Sequence, residues 1–171
     1  DVLPNAALEK AAYANFEAIP LPEYTPEEWN FARAIGKTCI RDKLPGFASE
    51  FDPEIAEFAE RVSENGTRAI NDFLMPLYHS RMITPSSTDV GDVSRQTPTV
   101  QIHAVTVPAA TPAHSWQEVA CGKSGMAHKG MILAAKVLAA TAFDLYTQPE
   151  ILAAARAEFE KQNRSGYVCP I

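Results

Sequence analysis

Residues 125–146, GMAHKGMILAAKVLAATAFDLY, constrain this chain more than any other stretch. They read as one long helix whose apolar residues do not keep to a single stripe. Ile132, Leu133, Ala135, Val137, Leu138 and Ala139 fall on several sides of it. A helix that is apolar on several sides needs cover on several sides. These six residues are therefore expected to be largely buried and closely packed against a sheet. The most apolar run, MILAAKVLAATAF, is too short to span a bilayer and carries Lys136. No transmembrane segment and no signal peptide are expected.

The sheet has one source in the sequence. TVQIHAVTV, 99–107, is β-branched and partly alternating, and reads as a strand. A strand with so few companions is marginal, so its partners are expected outside this sequence. Elsewhere the signals are helical. Asn5 is placed to cap a first helix with Leu8, Ala12, Phe16 and Ile19 on one face. Thr25-Pro26-Glu27-Glu28 has capping-box spacing with proline at the first helical position. Trp29, Ala32, Ile35 and Cys39 form the stripe that follows. LPG at 44–46 is expected to stop that helix. Asp52-Pro53 opens another, with Ile55, Phe58, Ala59 and Val62 inward, and Asn65-Gly66 closes it. Thr147-Gln148-Pro149-Glu150 suggests a second capping box before the last helix. Between Met75 and Pro98 lies a long Ser/Thr/Asp/Pro-rich stretch without a clean period. Loops of that length are usually functional or mobile.

The net charge is −6, without a Lys/Arg cluster. That argues against a nucleic-acid or anionic-membrane partner. Cys39, Cys121 and Cys169 are widely spaced and odd in number, which fits reduced thiols in a cytoplasmic protein. The chain begins at Asp1 without an initiator methionine, as a cleaved product or a piece of a longer protein would.

The chemistry-bearing residues gather in TPAHSWQEVACGKSGMAHKG, 111–130. Gly122-Lys123-Ser124 has the end of a phosphate-binding loop, but Gln117 stands where that loop needs its first glycine. A turn before a helix is the expected reading. Cys121 has His114 and His128 within reach in sequence, yet a small buried thiol is the commoner fate. His128, near a helix start, favours the neutral imidazole and has a metal or hydrogen-bonding role open to it. His103 reads as a strand histidine, and His79 has no partner at metal-motif spacing. His114 follows the small-residue loop AATPA, which permits close approach. One histidine cannot hold a catalytic zinc, which usually takes three or more protein ligands. Asp89 and Asp92 offer oxygen donors at a spacing that matches no metal loop.

SSTDVGDVS (86–94), TPTVQIHAVTV, TPAHSWQ (111–117) and AHKGMILAAKVLAATAFDL, in this order, resemble the C-terminal part of the aminobenzoyl-glutamate utilisation protein B-like amidohydrolases. These belong to the zinc-dependent aminoacylase and carboxypeptidase superfamily. VLPNAALEKAAYANFE and EEWNFARAIGKT are similar to the stretch where that family's chain returns from its lid, or dimerisation, domain. Ala113 and Arg95 stand where the family is expected to have glycine and tryptophan.

The resemblance implies an α/β fold: the C-terminal portion of a zinc-exopeptidase-like catalytic domain, with helices packed on a mixed sheet. Residues 1–171 would be a partial catalytic domain, and 1–5 the end of the return from the missing lid domain. It implies a metal-dependent amidohydrolase, or metallopeptidase, cleaving aminobenzoyl-glutamate-like or N-acyl amino acid amides. Zinc or manganese would serve the complete enzyme, with none bound by this chain alone. His114 matches a metal ligand. Thr88, Asp89, Gly91, Asp92 and Ser94 match a loop that positions substrate. His128 lies in a matched segment without a defined role, and no catalytic residue is assigned. The implied partners are the missing N-terminal half of the catalytic domain, a small amide substrate and, when complete, a second copy in a homodimer. A chain without that half is expected to be inactive. The alternative is a non-catalytic interaction module that keeps the remnant fold.

Overall fold

A computed structural model describes residues 2–39, 53–79, 88–163 and 166–168. The LPG stop, Asp52 and Cys169 lie outside these residues. Among them are seven helices and no strand. The helices are α1 (Ala6–Ala18), α2 (Pro26–Gly36), α3 (Pro53–Val62), α4 (Val90–Ser94), α5 (Trp116–Cys121), α6 (Gly125–Thr147) and α7 (Pro149–Gln162). The chain divides into two units. One takes 1–19, 83–102 and 136–171; the other takes 20–82 and 103–135.

The expected α/β architecture, helices on a mixed sheet, is therefore corrected to an all-helical one for the described residues. Residues 99–107 form no ladder. None of their main-chain groups bonds to another main chain among the described residues. β-Branched composition favours a strand only where a neighbour supplies the other half of each bond. Instead, Val105 and Val107 lay their side chains on a helical core.

In the first unit α1 packs against α7. Asn5 builds that contact. Its Oδ1 accepts from the Leu8 N–H at 3.1 Å and caps α1, while its Nδ2 donates to the Ala155 carbonyl of α7 at 2.8 Å. Glu158 on α7 accepts the Ala6 and Ala7 N–H groups at 3.0 and 3.1 Å. A carboxylate there satisfies helix-start donors and meets the positive end of the dipole. Leu8, Ala12 and Ala155 are buried. Farther along α1, Asn15 Nδ2 donates to Asp144 Oδ2 at 2.7 Å.

In the second unit the expected capping box is present. The Glu28 N–H donates to Thr25 Oγ1 at 3.3 Å, and the Thr25 N–H to Glu28 Oε2 at 2.7 Å. Lys129 of α6 reaches the same carboxylate at 2.6 Å and the Glu23 carbonyl at 2.8 Å. Beneath lies a core of Ala32, Ile35, Cys39, Ile70, Cys121 and Met126, with Trp29 and Phe31 packed on it. Gly130 lets α6 settle against the Val105 backbone and the Thr106 side chain.

Burial opposes the charge on Glu28, but the bonds from Lys129 and from the Thr25 backbone win, and the carboxyl sits below its ordinary value. A carboxylate with a lowered folded pKa stabilises above the ordinary carboxylate range and loses that contribution as pH falls through the lowered value. Glu28→Gln should therefore cost on the order of 1 kcal/mol near neutrality. The deficit should close on acidification. Urea melts of both proteins from pH 7 to about pH 3 measure it, and a gap that stays constant with pH would refute the carboxylate's role.

Helix α6 runs to Thr147, one residue past the expected end, and Thr147 Oγ1 bonds back to the Phe143 carbonyl at 2.9 Å. The second capping box is thereby corrected: Gln148 is the N-cap of α7 and makes no side-chain cap bond. The expected all-round burial of α6 is also corrected. Leu133 and Val137 are buried, with Met126, Ala127 and Thr141 on the same stripe. Ile132 and Leu138 are about half exposed, and Met131, Phe143 and Tyr146 more so. Ala135 and Ala139 are exposed too. No second layer among the described residues covers that face. Helix α6, at 23 residues, is longer than the apolar run within it, and by length and composition alone it is long and apolar enough to cross a membrane.

Candidate functional site

His114 lies in the loop before α5, in the second unit. It takes a left-handed backbone, φ 56°. The following residues impose this. Ser115 caps α5, accepting the Glu118 N–H at 3.2 Å and donating to the Pro112 carbonyl at 2.6 Å. The Glu118 carboxylate reaches back past the cap to the His114 N–H at 2.7 Å. Histidine tolerates this region better than branched residues do. The His114 side chain is exposed, next to the exposed Trp116 and Val119. His114 was expected at the end of a strand or in the loop after it; it lies in a loop, and no strand precedes it among the described residues.

His128 sits exposed on the first turn of α6, its N–H bonded to the Ser124 carbonyl at 3.1 Å. Gly122 is the C-cap of α5, and Ser124 Oγ accepts the Ala127 N–H at 3.1 Å. The GKS triplet thus links two helices. Cys121 is fully buried, and burial, with a further push from Cys39, raises its thiol above the ordinary value. That disfavours the thiolate a nucleophile needs.

Thr88, Asp89, Gly91, Asp92 and Ser94 belong to the first unit, around α4. Thr88 Oγ1 accepts the Val90 N–H at 3.2 Å. Asp89 is the N-cap of α4 without a side-chain cap bond. Asp92 accepts a hydrogen bond from the Tyr167 hydroxyl. Ser94 is buried; its hydroxyl donates to the Gly91 carbonyl at 2.7 Å and accepts the Leu3 N–H at 2.8 Å. Asn163 Nδ2 bonds the Arg95 carbonyl at 2.8 Å. Much of this polar chemistry fastens α4 to both ends of the chain. Tyr167 and Asn163 were not singled out in the sequence, because contacts this distant leave no local signal.

The described residues do not make up a complete catalytic metal site. Among the described residues no three His, Cys, Asp or Glu side chains stand together to hold an ion. A cavity beside Trp29 was not expected: Trp29 was read only as part of the apolar stripe, although Trp29 and Arg33 share a face of α2 at helical spacing.

Sequence comparison shows that the chain is similar to part of a hydrolase. That relative is one of the subunits of the p-aminobenzoyl-glutamate hydrolase of Escherichia coli (strain K12), 33% identical over 174 residues. The match covers 99% of this chain and 36% of the E. coli protein, so the chain spans about a third of its relative. The resemblance read from the motifs is thereby shown. No family model matches the chain, and no solved structure matches it significantly.

Proposed function

We propose that this chain is part of a hydrolase that cleaves amide bonds of the p-aminobenzoyl-glutamate or N-acyl amino acid kind, and that it has no activity by itself. The observation that carries the reading is the match of 99% of the chain to about a third of the E. coli hydrolase polypeptide. The partner is the remainder of such a polypeptide. His114 supplies one metal ligand. One ligand does not hold a catalytic metal, so the chain lacks the machinery for turnover until the other ligands and an activating carboxylate join it.

The test assays the purified chain on p-aminobenzoyl-glutamate with added Zn²⁺ or Mn²⁺, alone and co-expressed with the part of the E. coli protein that it does not match. No turnover is expected alone. Turnover that appears with the complement and disappears in His114→Ala supports the proposal. Turnover by the isolated chain, lost in His114→Ala, refutes its incompleteness. A complement that binds without any turnover points instead to a non-catalytic interaction module.

A further inference from the structure

A cavity of about 540 Å³ lies in the second unit, within the size range of small-molecule sites. Tyr24, Trp29 and Arg33 form one wall; Glu64, Thr67 and Arg68 form the other. The second wall is shaped by the turn that ends α3, where Glu64, Asn65 and Gly66 are all left-handed, with φ of 55°, 53° and 74°. Such backbone costs free energy at the two non-glycine positions and recurs at ligand clamps. The centre of the first wall is the Trp29 ring. Tyr24 meets it edge-on with centroids 6.3 Å apart. The Arg68 and Arg33 guanidinium carbons lie 5.2 and 5.9 Å from its centroid.

The two arginines differ in their commitments. Arg68 is spent: Nε and Nη2 donate to the two Asp72 oxygens at 2.5 and 3.0 Å, and Nη1 to Glu64 at 2.6 Å. Arg33 gives one N–H to the neutral Asn30 amide oxygen at 3.1 Å and pairs with no carboxylate among the described residues. The cavity therefore offers a single uncommitted cation beside an aromatic wall. Burial, Asp72 and Glu28 all push the Tyr24 phenol up, so it remains a neutral donor.

We propose that this cavity binds an aromatic carboxylate, with the carboxylate on Arg33 and the ring against Trp29. The guanidinium fork matches a planar carboxylate in two parallel bonds. The indole offers an aromatic ring offset or edge-on contact. Arg33 is the guanidinium left with donors to spare; Arg68 with Glu64 and Asp72 carries a net charge of −1, which repels a phosphate dianion more than a monocarboxylate. The proposal does not depend on the hydrolase reading, because binding is measured without turnover.

The chain has two tryptophans, so Trp116→Phe leaves Trp29 as the reporter. Benzoate should quench its fluorescence saturably, and bind at least about tenfold more tightly than the neutral isostere benzamide. Arg33→Met should remove that preference, and Arg33→Lys should keep part of it. Equal binding of the two ligands, absence of saturation, or an unchanged preference in Arg33→Met would overturn the proposal. If Arg33→Met loses its helical circular dichroism, Arg33→Lys decides: a preference undiminished by losing the planar fork counts against the site.

Discussion

Gly130→Ala should destabilise this protein by about 3 kcal/mol or more, although glycine to alanine inside an ordinary helix stabilises by roughly 1 kcal/mol. A methyl at Gly130 would overlap the Val105 carbonyl oxygen, lie 2.7 Å from its carbon and press on Thr106 Cγ2 at 3.2 Å. The first two atoms are backbone and cannot swing aside as a side-chain end would. Helix α6 would have to lift off the core that Met126 and Cys121 fill. Gly122→Ala is the control. Its methyl would meet only the Val119 carbonyl at 3.5 Å, an ordinary contact, and its φ of −58° suits any residue. That change should stay within about 0.5 kcal/mol of the parent. Thermal and urea melts by circular dichroism compare the three proteins. A Gly130→Ala protein as stable as its parent would mean that α6 does not lie on residues 105–106.

Asn5→Ala should be the second costly change, at on the order of 3 kcal/mol. Asn5 is 2% exposed and bridges two helices. Its loss removes the cap on the Leu8 N–H and leaves the Ala155 carbonyl without that donor, where Ala155 itself is fully buried. Asn5→Ser separates the two effects, since a hydroxyl can cap but is too short to reach α7. It should recover the capping share, about 1 kcal/mol. Thr25→Ala, at an exposed cap, should lose only about that amount. Equal deficits for Asn5→Ala and Thr25→Ala in the same urea series would show that the bond to α7 contributes nothing.

Asn5 and Thr25 also show what a sequence can reveal. A helix cap is a contact between residues three apart, so Asn5, the Thr25–Glu28 box and the Asn65-Gly66 stop were all readable. Glu158 feeding the start of α1 was not, because its partners are more than 150 positions away. Helices α4 and α5 have five and six residues, too few to establish a period. The strand reading of 99–107 failed differently. Its composition was read correctly, but a ladder belongs to two segments, and none faces it among the described residues. The stripe of α6 that would be buried was hidden for a related reason: a helix apolar on all sides carries no mark of which side is covered. At the candidate site, His114 and the α4 residues were legible only as motifs. The bond from Leu3 to buried Ser94 comes from packing, the left-handed turn at His114 from the cap of α5 and Glu118, and the cavity at Trp29 joins two stretches that no local pattern links.

The open face of α6 sets the colloidal behaviour of the isolated chain. Met131, Ile132, Leu138, Phe143 and Tyr146 form an adhesive patch, opposed at long range by a net charge of −6. Repulsion between copies acts over the Debye length, about 30 Å in 0.01 M salt and about 3 Å at 1 M. Dilute buffer therefore keeps the patches apart, while added salt screens the charge and, if it is a kosmotrope such as sulfate, also strengthens apolar burial. Clarity of a concentrated solution becomes a matter of ionic strength, and this protein is handled best where a purely charge-paired surface would be least soluble.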